Sequence, residues 1–266
     1  MPETGLTAPL YGELQVAHRR RRRVSSSGGE AAVEVRRRAG VYYHFCPRRL
    51  ARGGTLELIG NYLSPFVRRV AVSLNALEIP FELRPLYVFK EPEKVRAHNP
   101  VVRIPTLLLD DGDALVESYA ILDEIDRMVG PDRALTPASG RQRREVMKMT
   151  AIALASIEKA QWAFYEHRFR PLEKVHLPWI EHNDAQVVGG LEFLDVLASR
   201  TDADGWLAGG PDRSQADITT VVAYTFANAV RPHLALGERV PCLAAFATRC
   251  EGMAIFKNAP LRESIS

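Results

Sequence analysis

Ser64 lies immediately before Pro65 at the head of an apolar run with helical spacing, and a hydroxyl there has two uses. It can cap the open N–H groups of the first turn, or it can offer its hydrogen to an anion held by the positive end of the helix dipole. Glu117-Ser118 opens a second apolar helix and allows the same pair of readings. Pro105 introduces a short apolar strand, with Arg103 and Ile104 just ahead of it, and Lys90 belongs to a polar loop. Farther along, Trp162, Phe164, Tyr165 and Arg168 fall on one long helix as an aromatic stripe, either core or the wall of an apolar pocket. His44, His98 and His167 lack metal-ligand spacing, and Cys46, Cys242 and Cys250 are too few and scattered for a disulfide framework or a zinc site. No metal is expected.

These side chains need elements to carry them. Leu56-Glu57-Leu58-Ile59 reads as a strand and Gly60-Asn61 as a turn. Pro65 suits a first helical turn, and Phe66, Val67, Val70, Ala71, Leu74 and Leu77 make the buried face of that helix. Arg68, Arg69, Ser73 and Asn75 are expected on its opposite, polar side. Residues 80–86 alternate as a second strand, which predicts a parallel strand–helix–strand unit. A short polar helix near 91–97 ends at Asn99-Pro100. Residues 104–109 and 114–116 form a hairpin about Asp110-Asp111-Gly112-Asp113, and the helix after Glu117 buries Ile121, Leu122, Ile125, Met128 and Val129.

This order, with three short motifs inside it, resembles the thioredoxin-like domain of soluble glutathione S-transferases with a serine-type active site. Asn61-Tyr62-Leu63-Ser64-Pro65-Phe66-Val67-Arg68 is similar to the first strand–helix junction of members that carry a catalytic serine. Asn99-Pro100-Val101-Val102-Arg103-Ile104-Pro105-Thr106-Leu107 resembles their cis-proline loop, and Glu117-Ser118-Tyr119-Ala120-Ile121 their glutathione-binding Glu-Ser pair. The fold implied is an α/β thioredoxin-like domain at residues 55–133 followed by an all-α domain at 139–260. Residues 141–170, 176–199, 214–230 and a stretch near 241–252 read as the helices of the second domain.

The resemblance implies a chemistry for each motif. Ser64 would donate its hydroxyl hydrogen to the glutathione sulfur, favouring a thiolate. Lowering a thiol pKa of about 8.5 by two units takes about 2.7 kcal/mol. Pro105 would be cis and would present the Ile104 backbone to the cysteinyl segment like an added strand. Ser118 would bind the γ-glutamyl carboxylate, Glu117 the γ-glutamyl amino group, and Arg103 and Lys90 other carboxylates. Tyr62, Trp162, Tyr165 and Arg168 are the candidates for the pocket of a small hydrophobic electrophile. Glutathione as co-substrate, a homodimer and a cytoplasmic setting complete the picture. Ser214-Gln215-Ala216-Asp217 reads as a capping box with a folding role, worth about 0.5–2 kcal/mol on truncation.

The formal charge of +3 over 266 residues conceals an asymmetry. Residues 1–54 hold 11 Lys/Arg against 4 Asp/Glu, whereas the remainder is mildly acidic, so the charge does not argue for nucleic-acid binding by the folded part. The runs Arg19–Arg23 and Arg36–Arg38 read as a disordered basic leader, with a native start near Leu56 as the alternative. No apolar stretch approaches the roughly 18 residues of a spanning helix, so no membrane partner is expected. Two rivals stay open: a non-catalytic regulatory or binding protein of the same fold, and a glutathione-dependent isomerase resembling maleylacetoacetate isomerase, whose double-serine start is absent here.

Overall fold

A computed structural model describes residues 55–261, and the basic leader and Cys46 lie outside them. Strand β1 (Leu56–Ile59) is flanked on one side by β2 (Phe81–Arg84) in parallel and on the other by β3 (Thr106–Leu108), which is antiparallel to it. Strand β4 (Ala114–Val116) closes the order β2-β1-β3-β4, with Leu107 opposite Leu115. Alternation along β1 sends Leu56 and Leu58 into the main core and Ile59 to a smaller cluster with Leu86 and Val95 on the other face. Val95 belongs to α2 (Pro92–Arg96), whose burial there covers that face.

Helix α1 (Pro65–Ala76) connects β1 to β2, and α3 (Ser118–Val129) packs beside it. The polar side of α1 does not meet water as its sequence predicts. Arg68 and Arg69 are each 1% exposed and Ser73 is fully buried, because the helical half of the chain covers them. Arg68 donates to both carboxylate oxygens of Glu251 at 2.8 and 2.6 Å, and through Nε to the Ala259 carbonyl at 2.8 Å. Asn75 donates to the Ile255 carbonyl at 2.9 Å, and the Ser73 hydroxyl lies 3.0 Å from the Gln215 side-chain oxygen. Polar partners replace solvent on that face, which is how a helix with two arginines can be buried on all sides.

The helical half begins with α4 (Gly140–Phe169), whose 30 residues extend about 45 Å. A single 3-10 turn at Leu172–Lys174 leads to α5 (Leu177–Ala198), and α6 (Gln215–Val230) packs against α4 and α1. A β-carbon on Gly190 would sit 2.2 Å from the Ser156 hydroxyl oxygen, so the absence of a side chain there sets the close approach of α4 and α5. Short helices α7 (Leu236–Arg239) and α9 (Ala254–Lys257), neither of them read from the sequence, flank α8 (Pro241–Glu251).

The capping box at the head of α6 forms, and the Asp217 carboxylate accepts the Ser214 backbone N–H at 2.7 Å. Its other oxygen accepts the Leu207 N–H at 2.8 Å, tying the preceding loop to the helix. Leu58, Val67, Leu74 and Ile121 from the sheet side join Ile157, Leu191, Val221 and Phe246 from the helical side in one continuous core.

Candidate functional site

Three loops from the sheet half converge beside the last turns of α4. The first is fixed by Asn61, whose amide donates to the Leu86 carbonyl at 2.9 Å while its oxygen accepts the Leu63 N–H at 3.2 Å. This turn delivers Ser64 in extended geometry to the N-cap of α1, where its oxygen accepts the Val67 N–H at 3.4 Å. A bond that long is weak, and the hydroxyl hydrogen has no acceptor among the described residues. The capping and donor roles therefore do not compete: one uses a lone pair and the other the hydrogen.

In the second loop the Ile104–Pro105 bond is cis. Asn99, 1% exposed, braces this loop by donating to the Arg103 carbonyl at 2.9 Å and accepting the Val101 N–H at 2.9 Å. Val102 is held at φ 56°, an unusual conformation for a β-branched residue, and Glu117 at φ 68°. The side chain of Glu117 does not cap α3; it meets Arg103 at 3.0 Å, with both groups about half exposed. Such a pair is worth about 0–1 kcal/mol and can open to a ligand at little cost.

Ser118 is buried at the start of α3, and its hydroxyl accepts from Arg69 at 3.1 Å. Burial pushes the Arg69 guanidinium down to about 9, which still leaves it charged at neutral pH. Its Nε has no hydrogen-bond partner among the described residues. A buried cation supported only by a serine hydroxyl suits an anion docked at that serine.

The third loop carries Tyr87, Phe89 and Lys90, with the Lys90 ammonium 5.5 Å from the Tyr87 ring centroid. Together the loops and α4 enclose a cavity of about 880 Å³, within the roughly 300–1,000 Å³ range of ligand pockets. Ser64, Lys90, Arg103 and Ile104 line it from the sheet side, and Trp162, Tyr165 and Arg168 from α4. Pro105, Glu117 and Ser118 are not part of this lining, and Glu117 meets it through Arg103. Tyr62 is not among the residues that line the cavity. The lining passes from Asn61 to Leu63 and Ser64, while Tyr62 is half-buried and packs against the main core.

The α4 wall is a stripe of Glu158, Gln161, Trp162, Phe164, Tyr165, Arg168 and Phe169, whose members recur at three- and four-residue steps as one helix face must. Burial raises the Tyr165 phenol above its ordinary value, outweighing the donor Gln161 at 2.8 Å and the nearby Arg103 charge. Tyr165 is therefore protonated at neutral pH, with its oxygen accepting from Gln161 and its hydrogen available to a ligand. Phe89 crosses from the sheet half to meet Phe169 at a centroid distance of 4.5 Å and Tyr165 at 5.8 Å. Sequence reasoning missed Tyr87, Phe89, Gln161 and Phe169. Phe169 lies four residues after Tyr165 and seven after Trp162, so its helical spacing was the available signal; the loop aromatics offered no period.

The sheet half is thioredoxin-like, and with the helical half it forms the glutathione S-transferase fold. Residues 58–132 match the family model for the glutathione S-transferase N-terminal domain. A glutathione S-transferase of Methylobacterium radiotolerans, solved with glutathione sulfonate, is 25% identical with a TM-score of 0.72, covering 80% of this chain and 98% of that one. Another from Methylobacillus flagellatus, solved with glutathione bound, is 26% identical with a TM-score of 0.70, covering 77% and 98%. The Drosophila melanogaster protein named "Probable maleylacetoacetate isomerase 2" is 30% identical over 123 residues, which are 44% of this chain and 53% of that protein. The chain spans between a third and about half the length of the curated relatives it matches. These likenesses support the soluble glutathione S-transferase family. Among the described residues, no helix is long and apolar enough to cross a membrane.

Proposed function

We propose that this protein is a glutathione S-transferase that joins the glutathione sulfur to small hydrophobic electrophiles. One observation carries the reading: the Ser64 hydroxyl, its hydrogen unspent, opens at a helix N-terminus into the same cavity as the aromatic stripe of α4. The sheet loops bring Ser64, Lys90 and Arg103 to the cavity and α4 brings the rings of Trp162, Tyr165 and Phe169, which suits a charged peptide on one side and an electrophile on the other. Residues 55–133 serve as the glutathione domain and 139–260 supply the electrophile wall.

Ser64 donates to the sulfur while the α1 dipole favours its negative charge, an oxyanion-hole type of stabilisation in which the serine itself never ionises. The Ile104 backbone pairs with the cysteinyl segment. Ser118, backed by Arg69, takes the γ-glutamyl carboxylate, Glu117 the γ-glutamyl amine, and Lys90 and Arg103 the remaining carboxylate charge. The thiol proton leaves to solvent, the sulfur lone pair forms the new C–S bond, and in a displacement the leaving group departs with the electrons of the bond it breaks. A homodimer in the cytoplasm belongs to the same proposal.

Retention on immobilised glutathione, followed by conjugation of 1-chloro-2,4-dinitrobenzene, tests the reading. Wild type is expected to bind and react, and Ser64→Ala to bind but lose about 10²-fold in kcat, the order of one lost oxyanion-hole donor. Failure of wild type to bind, or full activity in Ser64→Ala, overturns it. The likeness to the maleylacetoacetate isomerase favours a second reading, glutathione-dependent cis–trans isomerisation. Turnover of maleylacetoacetate without conjugation of the chlorobenzene would select it.

A further inference from the structure

Resting on the glutathione reading, we infer that the second substrate is an aromatic electrophile bearing an anionic group, and that Arg168 is the residue that selects it. The ring surface is already assembled. Phe89, Tyr165 and Phe169 contact one another pairwise at centroid distances of 4.5–5.8 Å, and Phe89 and Phe169 are 64% and 50% exposed. Such partly exposed rings present faces and edges on which a planar ring stacks.

The charge follows from what surrounds those rings. The cavity lining carries Lys90, Arg103 and Arg168 against a single acid, Glu158. Arg103 pairs with Glu117 at 3.0 Å and in the glutathione reading serves the tripeptide's carboxylate, and Lys90 rests over Tyr87 in the sheet half. Arg168 is the cation of the α4 wall, lines the same cavity as Tyr165 and Phe169, and makes no ion pair among the described residues. Glu158 lies ten residues earlier, about 15 Å along the helix axis and out of reach. Glu166, the carboxylate of the same turn, is engaged by Arg170 at 2.8 Å and by the His176 N–H. A guanidinium lining the same cavity as an aromatic platform, with the neighbouring acids placed away from it or occupied, matches a carboxylate fixed to a ring.

Calorimetric binding of two conjugates, S-benzylglutathione and S-(4-carboxybenzyl)glutathione, tests this without requiring turnover. Wild type is expected to bind the carboxybenzyl conjugate about tenfold more tightly, the effect of one partly screened charge-assisted contact. Arg168→Gln brings the affinity ratio to about one, Arg168→Lys retains part of it through its point charge, and Arg200→Gln, an exposed arginine outside the cavity, keeps the wild-type ratio. A ratio near one in wild type, or one that survives Arg168→Gln or falls equally in Arg200→Gln, overturns the inference and leaves the glutathione reading intact. If neither conjugate binds wild type, the glutathione reading itself fails and takes this inference with it.

Discussion

Burial pushes the Cys250 thiol up to about 12 from an ordinary 9.0, the desolvation outweighing the favourable charge of Arg249. The folded chain therefore keeps this proton after the unfolded chain has lost it, and between those two values stability falls as pH rises. Iodoacetamide at pH 8 should label half-buried Cys242 and spare Cys250 until denaturant is added, as read by peptide mass spectrometry; equal labelling in the native protein would contradict this. Individual site residues were legible in the sequence to the degree that their motifs were contiguous. Ser64, Ile104 and Arg103 each lie within a run of neighbours that fixes the local backbone, and all three line the cavity. The side to which Tyr62 turns was not legible, because within a tight turn adjacent side chains diverge and no periodicity tells which of them faces inward. The buried Arg69 beside Ser118 was hidden for a different reason: spacing placed it on the polar side of α1, and spacing cannot tell a solvated side from a covered one.

At the scale of elements, one glycine holds two loops and a helix together. Gly60 sits at φ +142°, and a β-carbon there would lie 2.5 Å from a Val67 methyl and 3.2 Å from the Ile104 β-carbon. Gly60→Ala should thus cost about 2–4 kcal/mol, combining backbone strain with overpacking, and should weaken glutathione retention through displacement of Ile104. An unchanged unfolding midpoint would refute that account. Helix and strand order were readable because hydrophobic spacing is a local property; β1, α1 and the long helices follow it. The fate of α1's polar face was not readable, since Glu251 and Gln215 stand more than 140 residues away and spacing cannot distinguish water from a matching polar partner. Helices α7 and α9 span only four residues each, too short for any period to show.

On the scale of the whole molecule, the continuous core and the Arg68–Glu251 pair predict that the two halves unfold together. Calorimetry should record a single transition coincident with loss of helical circular dichroism. Glu251→Gln should lower its midpoint without splitting it, at a cost of about 1–3 kcal/mol, because Arg68 is then buried beside a neutral partner. Two resolved transitions in either protein would contradict this coupling. The enclosure of α1 contrasts with the openness of the α4 stripe, where Trp162 is 56% exposed and Phe169 50%. Substitutions on the buried faces of α1 disturb the core and are taxed in stability, whereas those on the exposed α4 stripe touch few buried neighbours and cost little. Under the proposed reaction, a chain built this way can drift in what it attacks while staying fixed in what it attacks with, so laboratory selection for new electrophiles should accumulate changes on α4 and leave α1 untouched.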